Sequence, residues 1–231
     1  MYSAGTNVKD LYQTLSVNNE YAIEKNPITC KGSPFKATIT LPYKPLSLKW
    51  KVQNYDDFVD NLYIQIDKIL GNFEKNPELH QHDSEDRMTI EIANGLNLIG
   101  YNVTHEEKIG GHADLSVKHR NGWLWIGEAK IHSDYGYLWQ GFQQLTTRYT
   151  TGNDNQNAGG LIIYIRNKNA KSVIDTWKER LNKNYGIQEF SPCPKRESFS
   201  FFTRHVHSRS GIPFNVRHMG VVLGFDPRDR K

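Results

Sequence analysis

Cysteine is nearly absent: Cys30 and Cys193 are the two in 231 residues, far apart and in no CxxC pair. That excludes a zinc ribbon and a disulfide framework and leads us to expect a reduced, cytoplasmic protein. Long apolar runs are missing too. None approaches the roughly twenty residues of a membrane span, and the opening MYSAGTNVKDLYQ lacks an apolar core of signal-peptide length, so neither membrane contact nor export is expected. There is no HExxH pair and no clustering of histidines, which counts against a zinc hydrolase, and no Walker A run, so any ATP-driven step needs a separate ATPase partner. Neither sign of charge dominates: 29 basic against 25 acidic residues give +4, which permits a polyanionic partner without demanding one. With 37% hydrophobic and 12% aromatic residues, the chain can bury one good core, so disorder is not the default.

The stretch 111–130, GHADLSVKHRNGWLWIGEAK, organises what is present. Ala113, Leu115 and Val117 alternate with Asp114, Ser116 and Lys118, and Asn121-Gly122 supplies a turn into a second strand. In that strand a period of two puts Leu124, Ile126, Glu128 and Lys130 on one face, so an acid and an amine end an apolar stripe side by side. Asp114 on one strand and Glu128 on its neighbour could hold a hard divalent cation between carboxylate oxygens, with Lys130 facing the same cavity. The bland alternative is a buried ion pair between strands, which is costly without a function.

Asp114, thirteen residues and then Glu128-Ala129-Lys130 resemble the motif of the PD-(D/E)xK nuclease superfamily, with Ala113 where a proline usually precedes the aspartate. The resemblance covers about 83–165 and implies a restriction-endonuclease-like fold: α/β, with an αβββαβ core, a mixed central sheet flanked by helices, and here an N-terminal extension. It also implies Mg2+ or Mn2+ held by Asp114, Glu128 and the Ala129 carbonyl, with Lys130 orienting or helping to deprotonate the attacking water and offsetting charge in the transition state. The helix before the catalytic strands often supplies a carboxylate in this superfamily. Glu85, which continues the apolar stripe of that helix, is the candidate, and Glu91 at its flank is the reserve. A glutamine on the following helix resembles those of Mrr-like and phage-exonuclease-like branches; Gln144 is carried over, with Gln140 as the alternative and Arg148 as a phosphate contact. Those branches often show Gln-x-x-x-Tyr, whereas Gln144 and Tyr149 stand five apart, so Tyr149 is not carried over. The implied activity is that of a DNA endonuclease of the restriction or anti-phage defence type. Its alternative is an inactive nuclease-fold DNA-binding or scaffolding subunit of a larger complex.

Around this centre, the sequence reads as an extension over 1–80 and a nuclease domain over 81–231. The extension has a short helix at 8–15, strands at 36–41 and 48–52, and an amphipathic helix at 55–73 capped by Asn54, which packs on the domain or joins two protomers. Further helices are expected at 85–98, 133–150 and 170–181, the second with Tyr137 or Leu138, Gly141 or Phe142, and Leu145 facing inward, and strands at 101–106, 159–165, 199–205 and 216–225. Arg204 and Arg209, among aromatics and histidines near the C-terminus, are candidate nucleic-acid contacts. His205 and His207 alternate on a strand but lack a third ligand at zinc spacing, and His80, His82, His112 and His132 read as surface residues or neighbours of the site. The expected partner is double-stranded DNA, and a homodimer would match the symmetry of a duplex cut on both strands.

Overall fold

Alternation along the strands and 3.6-residue stripes along the helices are satisfied together by one mixed sheet covered on both faces. The computed structural model of the chain describes residues 52–184, 187 and 189–229. The elements expected at 8–15, 36–41 and 48–52 lie outside these residues but for Val52. The compact unit begins at Val52, so the helix that the sequence groups with the 1–80 extension belongs to the sheet's own packing.

Helix α1 spans Tyr55–Lys75 and a 3-10 turn spans Pro77–His80; α2 covers Glu85–Leu98. Strands β1 (Asn102–Lys108), β2 (His112–Lys118) and β3 (Leu124–Ile131) follow, then α3 (Tyr135–Gln143), which runs on into a π turn at Gln144–Tyr149. After β4 (Ala158–Ile165) come α4 (Ala170–Asn184), β5 (Glu189–Pro192), β6 (Ser200–Val206) and β7 (Pro213–Val222). The seven strands lie in the order β1-β2-β3-β4-β7-β6-β5. β3, β4 and β7 are mutually parallel in the middle, and the outer pairings are antiparallel. The parallel strands read as continuous apolar runs because both faces are covered, and every residue of β4 is buried.

Asn54 caps α1 by accepting from the Asp57 amide, and Ser84 caps α2 by accepting from the Arg87 amide. The expected stripe of α1 is buried at Phe58, Leu62, Ile66 and Phe73 and half-buried at Ile69, and it is spent on the protein's own sheet. Two tyrosines fix the helix at the start of the central strands. The Tyr55 hydroxyl donates to the Leu124 carbonyl (2.8 Å) and accepts from the Ala158 amide (3.1 Å). The Tyr63 hydroxyl donates to the Gly159 carbonyl (2.9 Å) and accepts from Trp125 Nε1 (3.2 Å). Trp125 lies flat across the sheet because Gly160 leaves room; a Cβ there would come within 2.6 Å of the indole. Arg217, buried under α1, donates to Asp67 (2.9 Å) and stacks its guanidinium 4.9 Å from the centre of the Tyr63 ring. A second core, with Leu138, Phe142, Leu145, Ile163, Val173 and Trp177, packs α3 and α4 on the opposite face.

The short strand β5 was not read from the sequence, which suggested a loop around Cys193-Pro194. It forms an edge by pairing with β6, with Phe190 stacked on Phe201. Among the described residues, no helix is long and apolar enough to cross a membrane.

His218 is fully buried, accepting from Trp177 Nε1 (3.1 Å) at Nδ1 and facing the Thr203 hydroxyl (2.9 Å) with Nε2. Burial, then the neighbouring His205, pushes its pKa down to about 3, so the folded chain keeps it neutral. A histidine depressed in the fold stabilises fully above its unfolded pKa and loses that stability as pH falls. The stability advantage of the wild type over His218→Gln should therefore shrink by about 2 kcal/mol between pH 7 and pH 5. Urea unfolding of both proteins at the two pH values checks this; a constant difference contradicts it.

Candidate active site

β2 and β3 run as a ladder only as far as Leu115 opposite Gly127. Beyond that pair the strands part, and Asp114 at the fork uses its carboxylate to accept the amide of Ala129 (2.8 Å). Glu128 and Lys130 then point from β3 to the α3 face, as the period of two requires. Glu85 arrives from the first turn of α2, where its carboxylate accepts the Ile131 amide (2.6 Å) at the end of the same strand.

The Lys130 ammonium sits among all three acids. Its Nζ lies 2.6 Å from Glu128, 3.0 Å from the Ala129 carbonyl, 3.3 Å from Glu85 and 3.8 Å from Asp114. Glu128 and Lys130 form the floor, 1% and 6% exposed, while the side chains of Glu85 and Asp114 are each 21% exposed and open the site to solvent. Burial, reinforced by the Asp114 charge, pushes the Glu128 carboxyl up to about 8. Burial raises Asp114 as well, against the pull of Lys130. For Lys130 burial acts against the charge, but the carboxylates of Glu128, Asp114 and Glu85 outweigh it and hold the ammonium above its usual range. The acids and the amine thus pull in opposite directions: burial favours a proton on Glu128 and Asp114, and their charge favours one on Lys130.

One oxygen of this cluster has no partner: Glu128 Oε2 is buried without a hydrogen bond. Together with Asp114 and the Ala129 carbonyl it makes a set of hard oxygen donors of the kind Mg2+ and Mn2+ take, so the residues fit such an ion. Among the described residues no three acidic, histidine or cysteine side chains form a ready-made cage; the ammonium sits among the oxygens instead.

Two tyrosines join the site that the sequence did not assign to it. The Tyr137 hydroxyl donates to Glu85 (3.1 Å to Oε1), and its ring lies 5.3 Å from Lys130 Nζ. The sequence left Tyr137 and Leu138 as alternatives for the inward face of α3; Leu138 enters the core and Tyr137 the site. Tyr149 is buried, and its hydroxyl is pushed up by burial and then by the charges of Glu128 and Asp114. The π turn explains its position. Its hydrogen bonds run from i to i+5, which widens the turn by about a residue and brings Tyr149, five residues after Gln144, round to a buried position. Gln144 is half-buried, with its Oε1 enclosed and unpartnered. Gln140 and Arg148 are exposed, and Glu91 is exposed farther along α2.

The remaining candidates lie elsewhere. Arg204 stands on β6, three strands from β3, on the face of Phe202 and α1, and is 3.8 Å from Glu189. Arg209 donates to the Thr150 carbonyl and ties down the end of the π turn. His207 bonds the Thr150 hydroxyl (2.7 Å), His80 faces Asp83 (2.8 Å), and His132 faces Asn167 (2.9 Å).

A purely structural ion pair and a site held ready for a cation differ in one measurable respect. Removing one partner of a structural buried pair costs about 3–5 kcal/mol. Glu128 is raised in the fold, so the ligand-free protein loses stability as pH climbs from the ordinary carboxyl range, and the loss is complete once pH has passed about 8. Glu128→Gln should accordingly be at least as stable as the wild type at pH 8.5 in EDTA, by thermal or urea unfolding. A loss of several kcal/mol would identify the structural pair.

No family model matches the chain, and neither a curated protein nor a solved structure matches it.

Proposed function

We propose that the protein is a metal-dependent nuclease that hydrolyses phosphodiester bonds, with double-stranded DNA as substrate. The observation that carries this is the convergence of Asp114, Glu128 and Lys130 at the fork between β2 and β3, with a buried Glu128 oxygen lacking any donor. Asp67 in the core pair with Arg217 also keeps one oxygen unpartnered, so the weight lies on the setting: the Glu128 oxygen stands beside a second acid and a backbone carbonyl that could share a cation with it. The succession α2-β1-β2-β3-α3-β4 is also the αβββαβ order of the restriction-endonuclease-like core, which supports the same assignment.

Asp114, Glu128 and the Ala129 carbonyl would hold Mg2+ or Mn2+, which when bound polarises a phosphate and acidifies a water. The chain's own groups do the rest. Lys130, kept charged by its carboxylates, donates from Nζ to the phosphate oxygens and offsets the charge that builds there, acting as electrostatic stabiliser and not as base. Gln144 offers its unpartnered Oε1 to the attacking water and so orients it. Glu85, fixed by the Ile131 amide and the Tyr137 hydroxyl, fixes the lysine in turn. Arg148, exposed on the π turn, reaches a backbone phosphate.

Supercoiled plasmid, linear duplex, single-stranded DNA and RNA incubated with Mg2+, Mn2+ or EDTA test the proposal. Cutting should require the metal and fall by about a hundredfold or more in Lys130→Ala. The rate should rise with pH up to about 8, because the Glu128 carboxyl must shed its proton to act as a ligand. Absence of cutting by the wild type on every substrate, with either metal, overturns the proposal.

A further inference from the structure

We propose that Tyr137 and Gly141 of α3 are positioning residues for Lys130, forming a slot that holds its amine over the three carboxylates. The proposal rests on Lys130 as the working amine of the nuclease site. Gly141 is buried where α3 crosses β3. A Cβ built on it would come within 2.8 Å of Lys130 Cγ, 3.0 Å of Cε and 3.4 Å of Cδ. Carbon atoms that are not bonded prefer about 3.5–4.0 Å, so the stem already fills the space any side chain would need. Tyr137 lies one helical turn before Gly141 and therefore on the same side of α3.

The two residues act on different parts of the amine. Gly141 lets the helix backbone close over the methylene stem, which removes most of the rotamers a four-carbon chain would sample. Tyr137 closes the far end: its ring flanks Nζ at 5.3 Å, and its hydroxyl holds Glu85 3.3 Å from the same nitrogen. Alanine at 141 would meet the middle of a buried stem and not a free tip, so the simplest relief is for Lys130 to swing away. Loss of the Tyr137 ring opens the other end.

The test uses the full chain and a small acylating reagent, with the modification of each lysine followed by mass spectrometry. Wild-type Lys130 should react at least about tenfold more slowly than exposed Lys108, because it is enclosed and its amine is occupied by the surrounding oxygens. Gly141→Ala and Tyr137→Leu should each bring it close to the Lys108 rate. On cleaved DNA, Gly141→Ala should lower kcat by about a hundredfold with KM within about twofold, the pattern of a misplaced group and not of lost binding. If Gly141→Ala fails to fold, Tyr137→Leu carries the test alone. Lys130 as protected in the folded variants as in the wild type overturns the slot. Labelling needs no turnover, so a protein that cuts nothing still decides the matter, and failure of the slot is distinguishable from failure of the nuclease assignment.

Discussion

Three acids and one amine share the fork between β2 and β3, and their enclosure is the constraint the surroundings serve. A carboxylate that is 1% exposed must find compensation, and Glu128 finds it in an ammonium 2.6 Å away. That amine must be brought in on a long stem, which requires a helix able to lie directly over β3. The helix lies there because β3 and β4 are parallel and their connection crosses the sheet face. Glu85 adds the third acid from the opposite layer, so α2 and α3, which pack on different faces, meet at the end of β3. Neither layer alone assembles the cluster.

The energetics run against this arrangement in the absence of a ligand. Burial raises Glu128 and Asp114, so the folded chain holds protons that the unfolded chain would release. Other buried charged or titratable groups are better partnered. Arg217 has its aspartate and its aromatic faces, and His218 has a partner on each ring nitrogen. Stability is built up around Tyr55, Tyr63, Trp125 and Arg217 on the α1 face and given up at the fork, as is common where a site must stay receptive.

Periodicity made most of the architecture legible. The period of two in β3 put Glu128 and Lys130 together, and the apolar stripes of α1 and α2, with the Asn54 cap of α1, placed both helices within a few residues. What stayed hidden was non-local. Nothing near Tyr137 in sequence says that its hydroxyl will meet Glu85, 52 residues earlier. Gly141 looked like one of two inward positions on a helix, because its significance depends on the stem of a lysine from another element. β5 was missed because a four-residue strand ending in Pro192 is stabilised by its neighbour β6 and not by its own pattern. Arg204 was grouped with the basic residues by composition, which cannot tell the two faces of a sheet apart.

The π turn has a further meaning as a buffer of chain length. β3 and β4 are fixed in register, Trp125 against Ala158, and the segment between them must fit that span. One residue too many in an α-helix rotates everything beyond it by about 100° and would turn Tyr149 away from the sheet. Here the surplus is absorbed within Gln144–Tyr149, where the Thr146 and Thr147 hydroxyls donate back to the Phe142 and Gln143 carbonyls. The crossover can thus differ in length by a residue while the strands on either side keep their places.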